Sequence, residues 1–184
     1  MTKNLDKEGL SSIVDNYNLF YIDLWGVVHN GVNLYQSAID TLKEISKKKK
    51  DYVLLTNAPR PNRTEKNFLK KMGMEKEISD NVFTSGEAAL NYLNNNYFDE
   101  KFYHVGPPRD FDLFKSFEKM KLNNIENSEY IICTGLFDEH DNDLNYYKKL
   151  FEKSLKKKMI CTNPDLIVDR GNTRELCAGS VAMV

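Results

Sequence analysis

Phe20-Tyr21-Ile22-Asp23-Leu24-Trp25-Gly26-Val27-Val28-His29-Asn30-Gly31 is the stretch against which the rest of the chain reads. An apolar and aromatic run at 19–22 meets a single carboxylate at Asp23, and the chain then passes through Gly26 into a polar turn at Asn30-Gly31. That pattern predicts a buried strand delivering an acid to its C-terminal end, where open parallel sheets keep their ligand crevices. An Asp in that place also serves commonly as a simple cap of the following turn, so its weight depends on what the chain places beside it.

Outward from this stretch, the segment at 35–47 carries Ala38, Ile39, Leu42 and Ile45 at helical spacing and ends in the lysine run 47–50, read as a solvated helix end. A second apolar strand at 52–55 closes on Thr56-Asn57, Ala58-Pro59-Arg60-Pro61 breaks the chain, and a helix over 64–72 follows with Gly73 as its cap. A third strand at 82–85 leads into a helix over 86–94. Strand and helix alternating in this way predict an α/β fold with a doubly wound parallel sheet. Asn94-Asn95-Asn96 reads as a linker, after which the alternation restarts: strands at 102–105, 130–134 and 159–162, with helices over 111–120 and 144–156. The expected organisation is a core over 1–97 and a second α/β module over 98–184.

With 184 residues, 41% hydrophobic and 29% charged, the composition is that of a globular protein, and a formal net charge of -1 gives no reason to expect nucleic acid or a membrane surface as partner. Cys133, Cys161 and Cys177 show no metal-finger spacing and fit reduced thiols, so a cytoplasmic location is expected. Cys133 and Cys161 fall in apolar strands and read as inert core thiols. The first twelve residues are too polar for a signal peptide, and no apolar run has the roughly 18 residues of a membrane helix. The sequence stops in Ser180-Val-Ala-Met-Val184, with neither a Gly cap nor a polar ending, and is therefore expected to be a C-terminally truncated part of something longer.

Thr56-Asn57, at the end of the second strand, would bring a hydroxyl, an amide and backbone N–H groups toward the crevice of Asp23, a set that suits an anion such as phosphate. Asp138, Glu139, His140, Asp141 and Asp143 lack the spacing and the Gly of a calcium loop and read as solvated charges. Phe111, Phe114 and Phe117 recur as a core face.

Taken together, Asp23-Leu24-Trp25-Gly26-Val27-Val28-His29-Asn30-Gly31, Leu54-Leu55-Thr56-Asn57, Thr162-Asn163-Pro164-Asp165 and Ala178-Gly179-Ser180-Val181-Ala182 resemble the haloacid dehalogenase superfamily, and more closely its class IIA branch of sugar-phosphate and nitrophenyl-phosphatase-like hydrolases. The resemblance implies a Rossmann-like core with an α/β cap inserted after the third strand. It implies phosphoester hydrolysis of a small phosphorylated metabolite, with Asp23 as nucleophile and Mg²⁺ as cofactor. Thr56, Asn57 and Gly26 would bind phosphate, Asp23 and the backbone carbonyl of Trp25 would hold the metal, and Asp165 with Asn163 would reach the substrate from the cap. A homodimer is compatible with it.

The sequence departs from the family pattern in two places. The second Asp, usually two residues after the nucleophile, is Trp25, which can neither give nor take a proton, so a factor of roughly 10²–10⁴ in rate is at stake. His29 offers an imidazole that titrates near neutrality, although a His in a turn more often packs. The Lys of the third motif and the acidic pair of the fourth are expected after the cap, beyond Val184. Besides the phosphatase reading stand a catalytically weak phosphometabolite-binding protein, motivated by Trp25, and a phospho-receiver domain, which has no use for the second module.

Overall fold

The computed structural model describes residues 5, 6, 8–170 and 173–184. The apolar runs on either side of the first helix become neighbouring strands, β1 (Leu19–Asp23) and β2 (Asp51–Thr56), joined by α1 (Gln36–Lys47). They pair in parallel, with Leu19 opposite Asp51 and Asp23 opposite Leu55. The chain continues through α2 (Asn62–Lys71) and the short α3 (Lys76–Ser79) to β3 (Val82–Thr84), which completes a sheet of order β1-β2-β3. Gly73 ends α2 with a φ of +94°, a left-handed conformation that glycine adopts at little cost, and its N–H bonds to Lys70 O at 3.0 Å.

By packing, the chain divides into two units: 1–56 with 66–83, and 57–65 with 84–184. The sequence pattern counts 57–65 and 84–97 with the first module; their contacts go with the second.

In the first unit one face of the sheet is buried. Leu54, Tyr52 and Val82 pack with Leu24, Val28, Ile39, Leu42, Ile45, Leu69 and Met74. The other face is open: Leu19, Tyr21, Leu55 and Phe83 are all exposed, Tyr21 to 70%. The expectation of a buried β1 is thus corrected. Among the described residues β1 lies at the sheet edge, and helices cover a single face of the strand, so its residues alternate between exposed and half-buried.

In the second unit, α4 (Ser85–Asn96) starts at Thr84, whose hydroxyl accepts the Glu87 N–H at 2.9 Å. It runs through the three asparagines expected to form a linker. Leu93 is buried beneath the last turn and accepts the Tyr97 N–H at 2.8 Å, so packing extends the helix past residues of weak helical preference. Four parallel strands follow in the order β5-β4-β6-β7: β4 (Phe102–Val105), β5 (Lys121–Leu122), β6 (Tyr130–Cys133) and β7 (Lys158–Cys161).

Alternate residues of the central strands enter opposite cores, as a sheet covered on both faces requires. Phe102, Tyr130 and Ile132 meet Leu93, Leu113 and Phe114. Val105, Ile131 and Cys133 meet Tyr147, Phe151, Ala178 and Val181, which belong to α5 (Leu144–Phe151) and α6 (Ala178–Ala182). The helix expected over 144–156 therefore stops at Phe151, the last residue to reach that core, and Leu155 is exposed.

The regular helix expected over 111–120 is instead a 3-10 run, Pro108–Met120, kinked at Phe114 and Phe117. Phe111, Phe114 and Phe117 recur every three residues, the repeat at which 3-10 side chains eclipse, and Phe114 and Phe117 both pack on Phe102. An antiparallel pair, β8 (Ile167–Arg170) and β9 (Thr173–Leu176), falls where no strands were expected. Among the described residues, no helix is long and apolar enough to cross a membrane.

His104, at the buried end of β4, bonds through Nε2 to Thr134 Oγ1 at 2.8 Å. Burial, with the nearby Lys121 ammonium second, pushes the imidazole down to about 3 from an ordinary value near 6.5. Between those two values the unfolded chain binds a proton that the folded chain refuses, so stability falls as pH drops from 6.5 toward 3, by about 1.4 kcal/mol per pH unit. Denaturant titrations over that range are expected to show this slope, flattened in His104→Gln; an unchanged slope in the variant would remove His104 as its source.

Candidate active site

β1 and β2 run in parallel and end at one edge of their sheet, which puts Asp23 and Thr56 at the ends of adjacent strands, with Asp23 in register with Leu55. Asp23 is exposed, and its Oδ1 accepts the Leu24 N–H at 2.9 Å, so the carboxylate is held at the strand end with its other oxygen unused by that bond. Thr56 is buried.

Leu24 is fully buried, and its carbonyl gathers the N–H groups of Val28 at 2.9 Å and His29 at 3.2 Å, turning the chain sharply behind Asp23. Gly26 sits in that turn with a φ of +76°, and its N–H reaches His29 O at 2.8 Å. A Cβ there would touch nothing, so the backbone conformation alone demands glycine.

Trp25 is half-buried and held by packing. Its ring meets His29 edge-on at 5.6 Å, and a Cβ on Gly31 would lie 2.6 Å from its Cη2. His29 is buried, stands edge-on to Phe68 as well, and accepts the Gly31 N–H through Nδ1 at 2.9 Å. Its place is the inside of the loop, where it fixes the indole and the turn. The packing alternative for His29 is the one the geometry supports.

The second unit builds its own polar centre. Asn57 Nδ2 donates to Asp165 Oδ2, and the Asp165 N–H donates to Asn163 Oδ1 at 3.0 Å. The turn at Asn163-Pro164-Asp165 is clamped from the other side by α6: the Gly179 N–H bonds to Asp165 O at 3.0 Å and Ser180 Oγ to Leu166 O at 2.6 Å. Gly179 is obligatory, because a Cβ would lie 2.3 Å from Pro164 O. The two late motifs are thus one structure. Asn57 follows Thr56 in sequence, yet its amide is engaged by Asp165.

Several polar residues of the second unit carry no signal in the sequence pattern. Glu65, only 3% exposed, faces Arg60 Nε at 3.4 Å; burial pushes its carboxyl up and the guanidinium opposes that. Arg63 reaches Asp112 Oδ1 at 2.5 Å and Thr64 also donates to Asp112, whose carboxyl is held down chiefly by the Thr64 hydrogen bond and further by Arg63. These pairs are 48 and 49 residues apart in sequence, which no local spacing reveals. The acidic stretch 138–143 is put to other uses: Asp138 pairs with Arg109 at 2.6 Å, Asp143 caps α5, and His140 stacks on Tyr146.

Asp23 and Thr56 offer only oxygen donors. Among the described residues no group of three or more His, Cys, Asp or Glu could hold a metal by itself. Mg²⁺ retains waters and takes one or two carboxylates together with phosphate oxygens, so a single exposed carboxylate suits it when the substrate completes the shell.

The family description "haloacid dehalogenase-like hydrolase" matches residues 20–119. A haloacid dehalogenase-like hydrolase from Brucella suis is 29% identical, superposes with a TM-score of 0.82, and matches 95% of this chain and 64% of its own. A 4-nitrophenylphosphatase from Thermotoga maritima is 23% identical with a TM-score of 0.68, over 92% of this chain and 63% of its own. Phosphoglycolate phosphatase 2 of Arabidopsis thaliana is 26% identical over 164 residues, covering 78% of this chain and 53% of that protein. The chain thus spans about half the length of this curated relative.

Proposed function

The chain belongs to the haloacid dehalogenase-like hydrolase family, and from that premise we propose that it carries the nucleophile of a phosphatase acting on a small phosphate monoester, as in the class IIA branch. The observation that carries the reading is the exposed Asp23 carboxylate at the end of β1, beside Thr56 at the end of β2.

Asp23 attacks phosphorus; a carboxylate oxygen–phosphorus bond forms as the bond to the leaving oxygen breaks. Thr56 donates its hydroxyl to a phosphoryl oxygen, and the turn through Gly26 brings backbone close to the phosphate. Mg²⁺, held by Asp23 and the Trp25 carbonyl, would offset the negative charge of the phosphoryl oxygens. The leaving oxygen takes its proton from solvent, since the indole of Trp25 has none to give. Water then hydrolyses the acyl phosphate and regenerates Asp23. Asn163 and Asp165 are the groups of the second unit proposed to read the rest of the substrate. The names of the relatives support small phosphate monoesters as the class, with phosphoglycolate and nitrophenyl phosphate as first probes.

The test is phosphate release from those two esters with Mg²⁺, together with mass mapping of the Asp23 peptide after rapid acid quench. Release accompanied by transient phosphorylation of that peptide is expected. Release with the phosphoryl group on another residue sinks the assignment. A second reading, binding with little turnover, is favoured by the locked Trp25 ring. The readings separate in Trp25→Asp: a phosphatase short of its proton donor gains turnover, up to the roughly 10²–10⁴ that a placed acid/base supplies, whereas a binding protein gains none.

A further inference from the structure

β6 and β7 end together on a pair of thiols, with Cys133 in direct register with Cys161. Register partners in a parallel pair project from the same face, and such strands lie about 4.8 Å apart, inside the roughly 4.4–6.8 Å that a disulfide spans between Cα atoms. Cys133 Sγ lies 3.8 Å from both Gly135 O and Ala178 O, and Cys161 Sγ lies 3.1 Å from Asn163 O. Their surroundings differ. Cys133 is fully buried in the core shared with Tyr147 and Val181, whereas Cys161 is partly exposed.

That difference gives the two thiols complementary chemistry. The interaction with Cys133 lowers the Cys161 thiol and, against the opposing effect of burial and with help from the Asn163 backbone, brings it down to about 7. The same interaction and burial push Cys133 well up. Cys161 is the sulfur that an oxidant can reach and that is substantially ionised at neutral pH; Cys133 is a protonated thiol waiting behind it. The expectation of two inert core thiols is corrected for Cys161.

We propose that Cys133 and Cys161 are an oxidisable dithiol, in which a hydroperoxide oxidises Cys161 and Cys133 closes a disulfide across the two strand ends. The Cys161 thiolate attacks a peroxide oxygen, the O–O bond breaks, and the departing hydroxide leaves as water with a proton from solvent. The sulfenic acid so formed is attacked by the Cys133 sulfur, and its hydroxyl leaves as water with the Cys133 proton. Two thiols lose two electrons, and one hydrogen peroxide becomes two waters.

The pair lies directly below the Asn163-Pro164-Asp165 turn. Cys161 Sγ is 3.1 Å from Asn163 O, and the Thr162 N–H and hydroxyl both bond to Cys133 O, at 2.9 and 3.2 Å. Closing the disulfide removes the thiol proton beside Asn163 O and ties the two strand ends to each other next to the turn. Oxidation therefore acts on the turn that holds Asn57, whatever reaction the protein performs.

The experiment is mild hydrogen peroxide treatment of the full chain, followed by intact mass, non-reducing peptide mapping and hydrogen exchange. Expected are the loss of two hydrogens, reversed by dithiothreitol, a cross-linked peptide pair carrying Cys133 and Cys161 in both the wild type and Cys177→Ser, and at least several-fold faster exchange at Gly179, whose amide bonds to Asp165 O. Cys133→Ser is expected to stop at a dimedone-reactive Cys161. A cross-link through Cys177, or over-oxidation without loss of two hydrogens, overturns the proposal. The wild-type map decides this even if a variant fails to fold.

Discussion

On the proposed mechanism, Asp23→Asn is expected to lower phosphate release by about 10⁴-fold or more while leaving the fold intact. The amide is isosteric with the carboxylate and its oxygen can still accept the Leu24 N–H, now 2.9 Å from Oδ1, so the strand end has no reason to move. What disappears is the charge proposed to attack phosphorus and the carboxylate proposed for the cation. The neighbours cannot replace it: Trp25 is an indole locked against Gly31, His29 is turned into the loop, and Thr56 carries a neutral hydroxyl. The comparison is phosphate release by wild type and variant under the same Mg²⁺ concentration, with circular dichroism and melting temperature as controls. Equal release by both proteins would eliminate Asp23 as nucleophile.

Gly179→Val destabilises the protein by about 3 kcal/mol or more, the scale of forced overpacking against atoms that cannot yield. A Cβ at this position would lie 2.3 Å from Pro164 O and 2.6 Å from Asp165 O. Both obstacles are backbone oxygens, and Pro164 is fixed in φ by its ring. Relief comes only from lifting α6 off the turn, which breaks the Gly179 to Asp165 hydrogen bond and uncovers Ala178 and Val181, now 1% and 0% exposed. For a chain of this size, about 3 kcal/mol corresponds to a fall of roughly 6–12 °C in Tm. Chemical denaturation gives the same quantity independently, and a loss below about 1 kcal/mol would show that α6 is held by something other than this contact.

The strand ends were legible because their causes are local. Apolar runs of four residues closing on Asp23 and on Thr56 need only the period of a parallel strand to be placed, and β1 and β2 lie side by side as that reading requires. The exposure of β1 was not legible, because an apolar run looks the same whether one face or two are covered. The antiparallel pair β8-β9 left a faint trace in the sequence, where Ile167-Val-Asp-Arg and Thr173-Arg-Glu-Leu flank Gly-Asn, a dipeptide common between antiparallel strands and foreign to a parallel-strand pattern. The Asn163 and Gly179 motifs were each recognisable, but their contact depends on a glycine with no side chain to announce it. Asn57 and Asp165 are 108 residues apart, a pairing that only the folded chain makes. The 3-10 run at Pro108–Met120 was hidden by a periodicity of three that passes equally for the face of an α-helix.

The open face of the β1-β2-β3 sheet has a colloidal consequence. Leu19, Tyr21, Leu55 and Phe83 present apolar surface to water, on a chain whose formal net charge is only -1. Little long-range repulsion keeps two such faces apart, and apolar contact is not weakened by salt as ion pairs are. For these 184 residues in concentrated solution near neutral pH, light scattering that grows with protein concentration and persists at high ionic strength is the expected behaviour.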